Sequence, residues 1–198
     1  MYEINEIYPA IQGEGYHAGM PCTIVRMQGC NLRCSFCDTP QAQQAGLLEK
    51  WPLENLLKEI EGKLTPSRIV LITGGEPLLQ DLGSLTEAIY RRGIKAHLET
   101  NGTLPPTGAF TWITVSPKAA PCNPSIVERA NEVKWLVATE EDVIALILWK
   151  ERLQWHSNKI VSLQPISILP TATKICYDAC IKYGWRLSLQ LHRYIGTK

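Results

Sequence analysis

The sequence predicts an α/β fold: a partial, open (β/α)6-like barrel of parallel strands with trimmed helices. Two observations support this prediction. Short β-rich runs alternate with segments of helical periodicity along most of the chain, which is typical of βα units that build a parallel sheet. The glycine-rich and polar motifs directly follow the strand runs, and such loops gather at one rim where ligands bind. Because domains usually run about 100–200 residues, we expect residues 1–198 to form one domain.

The first half of the chain supplies three predicted βα units. Residues 23–26 (TIVR) and 68–73 are apolar, β-branched runs and predict strands, as do residues 96–99. Residues 53–64 predict a helix because Leu53, Leu56, Leu57 and Ile60 form one apolar stripe. Residues 82–92 predict the next helix, which Gly93 ends.

The second half continues the series with less helix. Strands are expected at residues 112–116, 132–137, 159–163 and 186–191, and helices at residues 140–153 and 172–183. The proline-rich segment 116–124 is too short to hold a full crossover helix, which is why the barrel is expected to be trimmed.

Composition excludes several classes of function. The chain is 45% hydrophobic and 20% charged, as in ordinary soluble proteins, and a formal net charge of +1 gives no general electrostatic case for nucleic acid. No apolar run reaches the roughly 18 residues of a membrane span. The acidic N-terminus lacks the plan of a signal peptide, and the seven cysteines are odd in number and clustered. We therefore expect a cytoplasmic protein with reduced thiols.

Cys30, Cys34 and Cys37 supply three thiols from one loop in the pattern C-x3-C-x2-C. Three readings are open: a [4Fe–4S] cluster with one iron left for a non-protein ligand, a zinc knuckle with a distant fourth ligand, or three unrelated buried cysteines. Phe36 before the last cysteine and the downstream segment 73–77 (TGGEP) favour the cluster. This pattern resembles the radical S-adenosylmethionine enzymes. For Cys176 and Cys180, at i and i+4 of a predicted helix, we expect a core or helix-face role.

Two further segments suggest a binding pocket for a ring rich in N–H donors. Residues 11–15 (IQGEG) place an amide and a carboxylate on a tight turn, and both groups accept hydrogen bonds. Arg26 ends its strand at the same rim, where its guanidinium can pair with a ligand carboxylate. A surface turn and a structural ion pair are the alternatives. Glu76 is open between ligand contact and a turn cap, and the four histidines are expected in surface or packing roles.

Taken together, the motifs closely resemble the 7-carboxy-7-deazaguanine synthase family over nearly the whole chain. The segments that carry the resemblance are residues 11–15, Arg26, the cysteine loop through Thr39, and residues 73–77, 99–102, 116–118, 164–165 and 187–194. The resemblance implies a carbon–nitrogen lyase that converts 6-carboxy-5,6,7,8-tetrahydropterin to 7-carboxy-7-deazaguanine and ammonia in queuosine and 7-deazapurine biosynthesis. It also implies a 5′-deoxyadenosyl radical that abstracts hydrogen from carbon 6.

The resemblance further implies a role for each matching residue, although it names no catalytic side chain. The cluster ligands are Cys30, Cys34 and Cys37, and Thr39 offers an oxygen to Mg²⁺. The contacts to S-adenosylmethionine are Gly75, Ser116, Pro117, Lys118, Gln164, Pro165, Ile166 and Ser167. The pterin contacts are Ile11, Gln12, Gly13, Glu14, Arg26, Thr73 and the main-chain carboxylate of Lys198. A turn or cap role is the alternative for Thr39, and a frayed tail for Lys198.

Partners follow from the same resemblance. It implies a small-molecule pterin substrate, an electron donor such as a flavodoxin and a homodimer. The net charge and the lack of a long apolar run predict neither a nucleic-acid nor a membrane partner. Two other functions remain open at this stage. A glycyl-radical activase would share the cysteine spacing but lack the pocket of Gln12, Glu14 and Arg26, and a zinc-binding or redox-sensing module would hold no cluster.

Overall fold

The computed structural model describes residues 1–118, 121–153, 155 and 159–197, without the side chain of Ile168. The strands are β1 (Tyr2–Ile11), β2 (Pro21–Met27), β3 (Lys50–Trp51), β4 (Ile69–Gly74), β5 (Lys95–Thr100), β6 (Trp112–Val115), β7 (Glu132–Val137), β8 (Ile160–Pro165) and β9 (Arg186–Leu187). The helices are α1 (Leu53–Gly62), α2 (Gly83–Arg91), α3 (Pro124–Arg129), α4 (Glu140–Arg152), α5 (Pro170–Tyr183) and α6 (Leu191–Ile195).

The described strands form one sheet in the order β3-β1-β2-β4-β5-β6-β7-β8-β9. From β2 to β9 all neighbours pair in parallel, whereas β1 pairs antiparallel with β2 and β3. The sheet is open because β3 and β9 stand at its two edges. This confirms the predicted α/β class and the partial barrel. No helix within the described residues is long and apolar enough to cross a membrane.

The two faces of the sheet have different chemistry because successive side chains of a strand point to opposite sides. The helix-covered face carries fully buried apolar residues: Val25, Met27, Val70, Ile72, Leu98, Val133 and Leu163. The opposite face alternates with them and lines the barrel interior with polar residues: Arg26, Thr73, Glu99, Ser116, Lys134 and Gln164. Alternate side chains of the same strands therefore form the hydrophobic core on one face and line the cavity on the other.

The helices pack their apolar stripes on the outer face, as predicted. Leu56, Leu57 and Ile60 of α1 are almost completely buried, and Cys176 of α5 lies in the second core cluster, which confirms its core role. Among its described residues, the crossover between β6 and β7 contains a single helix, α3, which is six residues long. It begins at Pro124, where Asn123 Oδ1 accepts a hydrogen bond from the Ser125 amide at 3.0 Å. Residues 116–118 and 121–123, the part of the preceding segment that the structure describes, hold no helix, in line with the prediction.

The two ends of the chain differ from the prediction. Strand β1 was not predicted, since a register shift between Ile4 and Glu6 breaks its two-residue alternation. At the other end, the predicted strand 186–191 is wrong beyond Leu187. Ser188 and Gln190 leave the sheet and turn toward the N-terminal segment, and α6 follows.

Candidate active site

A cavity of about 510 Å³ opens at the carboxyl ends of the parallel strands. The predicted site residues that line it are Ile11, Gln12, Gly13, Glu14, Arg26, Cys30, Cys34, Cys37, Thr39, Thr73, Gly75, Ser116, Lys118, Gln164, Pro165, Ile166 and Ser167. Pro117 is not part of the lining, and Lys198 lies outside the described residues. Segments that are far apart in sequence therefore meet around one space large enough for small ligands.

The cysteine loop forms one wall of this cavity. Cys30, Cys34 and Cys37 are free, partly exposed thiols, and Phe36 lines the cavity beside them. Within the described residues no three His, Cys, Asp or Glu side chains form a ready single-ion site. A four-iron cluster is larger than one ion, so its thiolates need not converge on one point. Three free thiols on one accessible loop fit such a cluster as donors.

The end of β4 holds the cysteine loop in place. A Cβ on Gly75 would stand 2.3 Å from the Gly29 carbonyl oxygen and 2.6 Å from that of Ala42. The Glu76 amide also donates to the Gly29 oxygen at 2.8 Å. The glycine is thus required here by the close approach of the two loops.

Glu76 itself is completely buried and acts as a cap. Its carboxylate accepts hydrogen bonds from the Leu78 amide at 3.0 Å, the Thr100 hydroxyl at 2.8 Å and the Asn101 amide at 2.7 Å. Burial raises its pKa, against the effect of these three donors. Of the two readings that the sequence left open for Glu76, the structure supports the turn cap.

Arg26 of β2 meets Thr39, at the end of the cysteine loop, in the lining of the cavity. Arg26 Nη1 lies 3.3 Å from the Thr39 hydroxyl, and its Nη2 donates to the Tyr8 hydroxyl at 3.2 Å. Its Nε forms an ion pair with Glu6 at 2.8 Å. The structural ion pair is therefore present, and the other two guanidinium nitrogens contact Thr39 and Tyr8, two residues of the cavity lining. Thr39 makes no side-chain cap bond to the following 3-10 turn, which disfavours the cap role.

A buried lysine connects two carboxylates at the floor of the cavity. Lys134 Nζ lies 2.6 Å from Glu14 Oε2 and 2.7 Å from Glu99 Oε2. The Gln12 amide nitrogen lies 3.3 Å from Glu99 Oε1, and that of Gln190 donates to Glu14 Oε1 at 2.8 Å. Sequence reasoning assigned no role to Lys134 or Gln190. No spacing motif marks either residue, and β7 carries a second charged residue, Glu132, so Lys134 does not stand out in the sequence.

Burial and the shared ammonium act differently on the two acids. Burial alone would raise the pKa of Glu14, but the Lys134 ammonium and the Gln190 amide outweigh it and lower that pKa to about 2. Burial dominates at Glu99 and raises its pKa to about 7, although Lys134 opposes the shift. Burial lowers the pKa of the nearby Lys118. The floor thus combines one firmly ionised carboxylate with one that titrates near neutral pH.

The C-terminal segment fastens the loop that carries Glu14. Ser188 Oγ accepts from the Gly15 amide at 2.8 Å, and the Leu191 amide donates to the Gly13 oxygen at 2.9 Å. A Cβ added to Gly13 would stand 2.2 Å from His192 Nδ1, so the His192 ring fills the space beside this glycine. A packing role was expected for His192, but its place in the cavity lining was not. The available signal was its place in the segment 187–194, which carries the family resemblance.

An open parallel barrel with a C-x3-C-x2-C loop at the carboxyl ends of its strands defines a radical S-adenosylmethionine enzyme. The Radical SAM superfamily model matches residues 24–118. Members of this class use a [4Fe–4S] cluster and S-adenosylmethionine, and the free thiols and the adjoining cavity fit both.

Relatives identify the family within that class. The chain is 36% identical to 7-carboxy-7-deazaguanine synthase of Escherichia coli K12, over 98% of each chain. It is also 36% identical to the Bacteroides thetaiotaomicron enzyme of the same name, over 100% of each chain. The crystal structure of QueE from Escherichia coli superposes with a TM-score of 0.87 at 35% identity, covering 96% of this chain and 94% of that one. The chain belongs to the 7-carboxy-7-deazaguanine synthase family.

Proposed function

We propose that this protein converts 6-carboxy-5,6,7,8-tetrahydropterin to 7-carboxy-7-deazaguanine with release of ammonia, a step of queuosine and 7-deazapurine biosynthesis. One observation carries the proposal: a single cavity joins the cysteine loop, the Arg26–Thr39 pair and the Glu14–Lys134–Glu99 floor. The same cavity therefore offers thiols to a cluster, a guanidinium to a substrate carboxylate and acceptor oxygens to the N–H groups of a ring.

The cluster and S-adenosylmethionine together supply a 5′-deoxyadenosyl radical when bound. We assign the three thiols of Cys30, Cys34 and Cys37 as cluster ligands. The residues proposed to hold S-adenosylmethionine are Gly75, Ser116, Pro117, Lys118, Gln164, Pro165, Ile166 and Ser167. The lining positions of all but Pro117 support this assignment. Lys118 Nζ donates to Ser116 Oγ at 2.7 Å, so that the two side chains stand together at the end of β6.

The chain's own residues would bind and orient the pterin. The Glu14 carboxylate and the Gln12 amide oxygen accept hydrogen bonds and suit the N–H and amino groups of the ring. Arg26 would pair with the substrate carboxylate. Ile11, Gly13, Thr73 and the terminal carboxylate of Lys198 are the remaining proposed contacts.

A magnesium ion would complete the carboxylate end of the pocket. Mg²⁺ keeps few protein ligands and prefers substrate oxygens and water, and the Thr39 hydroxyl offers one oxygen there. The Thr39 side chain also contacts the Asp38 carboxylate at 3.1 Å. The negative charge of this carboxylate offsets that of the Arg26 guanidinium, whose Nη1 lies 3.3 Å from the Thr39 hydroxyl, and so supports a cation there.

Several properties of the whole protein belong to the same proposal. We infer that residues 1–198 form a single radical S-adenosylmethionine domain, which the continuous sheet supports. We also infer a homodimer and an electron donor such as a flavodoxin. A cytoplasmic location is supported by the seven free thiols, because reducing compartments preserve them.

The test is turnover of the anaerobic, reduced protein loaded with iron and sulfide. With S-adenosylmethionine, Mg²⁺ and 6-carboxy-5,6,7,8-tetrahydropterin, we expect equal amounts of ammonia and 7-carboxy-7-deazaguanine, measured by mass spectrometry. Omitting S-adenosylmethionine provides the control and should give neither product. A fully loaded protein that cleaves S-adenosylmethionine but leaves the pterin unchanged would contradict the proposal.

A further inference from the structure

Lys134 is the most enclosed of the charged residues that line the cavity. It lies in the middle of β7, and its side chain is 6% exposed. Both of its ionic partners come from other elements: Glu14 from the loop after β1, and Glu99 from β5. A lysine buried to this extent is costly unless its charge is paired and hydrogen-bonded. Here it is paired twice.

The charges around Lys134 do not balance. One ammonium serves two carboxylates, so the group carries one net negative charge when both acids are ionised. Other charged or titratable groups also act on it: Lys118 at the end of β6 acts on Lys134, Glu132 of β7 acts on Glu99, and His192 of α6 acts on Glu14. Without Lys134, two close buried carboxylates would compete for a proton, because like charges at short range cannot both stay ionised easily.

We propose that Lys134 is a positioning residue: its ammonium fixes the Glu14 carboxylate under the cavity and keeps it ionised as an acceptor for an N–H-rich ring. The inference rests on the proposed function for the nature of that ring. The proton of the acid pair is assigned to Glu99 rather than to Glu14, because Glu14 accepts the shorter amide hydrogen bond: 2.8 Å from Gln190, against 3.3 Å from Gln12 to Glu99.

The geometry leaves Glu14 able to act in this way. Its Oε2 faces Lys134 and its Oε1 faces the Gln190 amide. Each carboxylate oxygen has a second lone pair, and Glu14 lines the cavity. The low pKa of Glu14, caused mainly by Lys134 and opposed by burial, agrees with a carboxylate that is ionised at neutral pH. Glu99, whose pKa is raised by burial, is the member that takes up a proton.

A ligand-free measurement tests the ionisation of Glu14 directly. Infrared difference spectra of the cluster-loaded protein between about pH 5 and pH 8 detect carboxyl groups that take up a proton in this range. Glu99→Gln should remove the carboxyl band of Glu99, and no band from Glu14 should be present. Combining Glu99→Gln with Lys134→Met should make a Glu14 band appear, and Lys134→Arg in place of Met should suppress it. If the variant that combines Glu99→Gln with Lys134→Met shows no Glu14 band, the inference is overturned.

A binding measurement tests the consequence for the ligand. The redox-stable probe is 6-carboxypterin, titrated into the same variants by calorimetry. At pH 6, Lys134→Met combined with Glu99→Gln should bind the probe about tenfold to a hundredfold more weakly than Glu99→Gln alone, since a hydrogen bond to a charged acceptor is lost. Affinity for S-adenosylmethionine should be unchanged, which a general distortion of the fold would not allow. Equal probe affinity in both variants would also overturn the inference.

The two measurements separate this inference from the proposed function. The infrared result needs no pterin and tests Lys134 whatever the substrate is. A wild-type protein that fails to bind 6-carboxypterin would count against the proposed substrate alone. Lys134→Met alone leaves two buried carboxylates without their cation, whereas its combination with Glu99→Gln leaves one. The combined variant should therefore be the more stable of the two.

Discussion

Replacing Gly75 by alanine should disturb the cysteine loop without touching a thiol. The added Cβ would stand 2.3 Å from the Gly29 oxygen and 2.6 Å from the Ala42 oxygen, and both atoms belong to backbone that cannot rotate away. Real Cβ contacts essentially never fall below 3.0 Å. The loop must therefore shift by a sizeable fraction of an ångström, away from the end of β4.

The expected cost follows from overpacking. Inserting a methyl group into a tightly packed site costs about 1–3 kcal/mol, and 1 kcal/mol lowers the melting temperature of a chain of this size by about 2–4 °C. Gly75→Ala should thus lower the melting temperature by roughly 2–12 °C. Because the displaced backbone carries Cys30, the iron bound per chain after anaerobic reconstitution should fall as well.

Gly62→Ala is the matched control. Gly62 ends α1, and a Cβ there would meet no atom within 4 Å. Alanine is favoured over glycine in helices by up to about 1 kcal/mol, so this variant should keep or slightly raise the melting temperature and retain full iron. The reasoning would be refuted if Gly75→Ala matched Gly62→Ala in both measurements.

Three further predictions concern other parts of the site. Arg26→Ala should weaken binding of 6-carboxypterin about tenfold to a hundredfold, as expected for loss of a charged hydrogen bond, while S-adenosylmethionine binding changes little; equal losses in calorimetry would make Arg26 structural. Cys34→Ala should abolish iron retention and turnover, whereas Cys176→Ala, in the outer core, should retain both; normal iron in Cys34→Ala would overturn the cluster assignment. The raised pKa of Glu99, about 7 against 4.5, means that the folded state binds the extra proton, so the contribution of Glu99 to stability should fall as pH rises from about 4.5 to 7. Glu99→Gln should flatten this decline in denaturant titrations, and an unchanged slope would contradict the assigned proton.

The sequence was sufficient for the parts of the fold that follow simple periodicities. The strand at Glu132–Val137 was predicted with its observed bounds, because its residues form a compact β-rich run. Strand β1 escaped detection, since its bulge between Ile4 and Glu6 shifts the alternation in mid-strand. The course of the chain after Leu187 could not be predicted for another reason. Ser188 and Gln190 are fixed by contacts to Gly15 and Glu14, and no local sequence pattern encodes such distant contacts.

The site residues likewise fall into those that the sequence could predict and those that it could not. Residues within loop motifs, such as the cysteines and Gly75, could be found from spacing and from the resemblance. Lys134 could not, because its significance depends on two carboxylates that lie 120 and 35 residues away along the chain. The role of Gly75 was also incomplete from sequence alone. Its missing side chain makes room for the Gly29 and Ala42 carbonyl groups, a contact that only the folded chain reveals.

Transfer of the carbon 6 hydrogen tests the central claim most directly. The reduced, cluster-loaded protein is incubated with Mg²⁺, S-adenosylmethionine and 6-carboxy-5,6,7,8-tetrahydropterin deuterated at carbon 6, and the 5′-deoxyadenosine formed is examined by mass spectrometry. A radical enzyme acting on this pterin should place deuterium in 5′-deoxyadenosine while 7-carboxy-7-deazaguanine and ammonia appear. Unlabelled 5′-deoxyadenosine from fully loaded protein, with the deuterated pterin recovered intact, would contradict it.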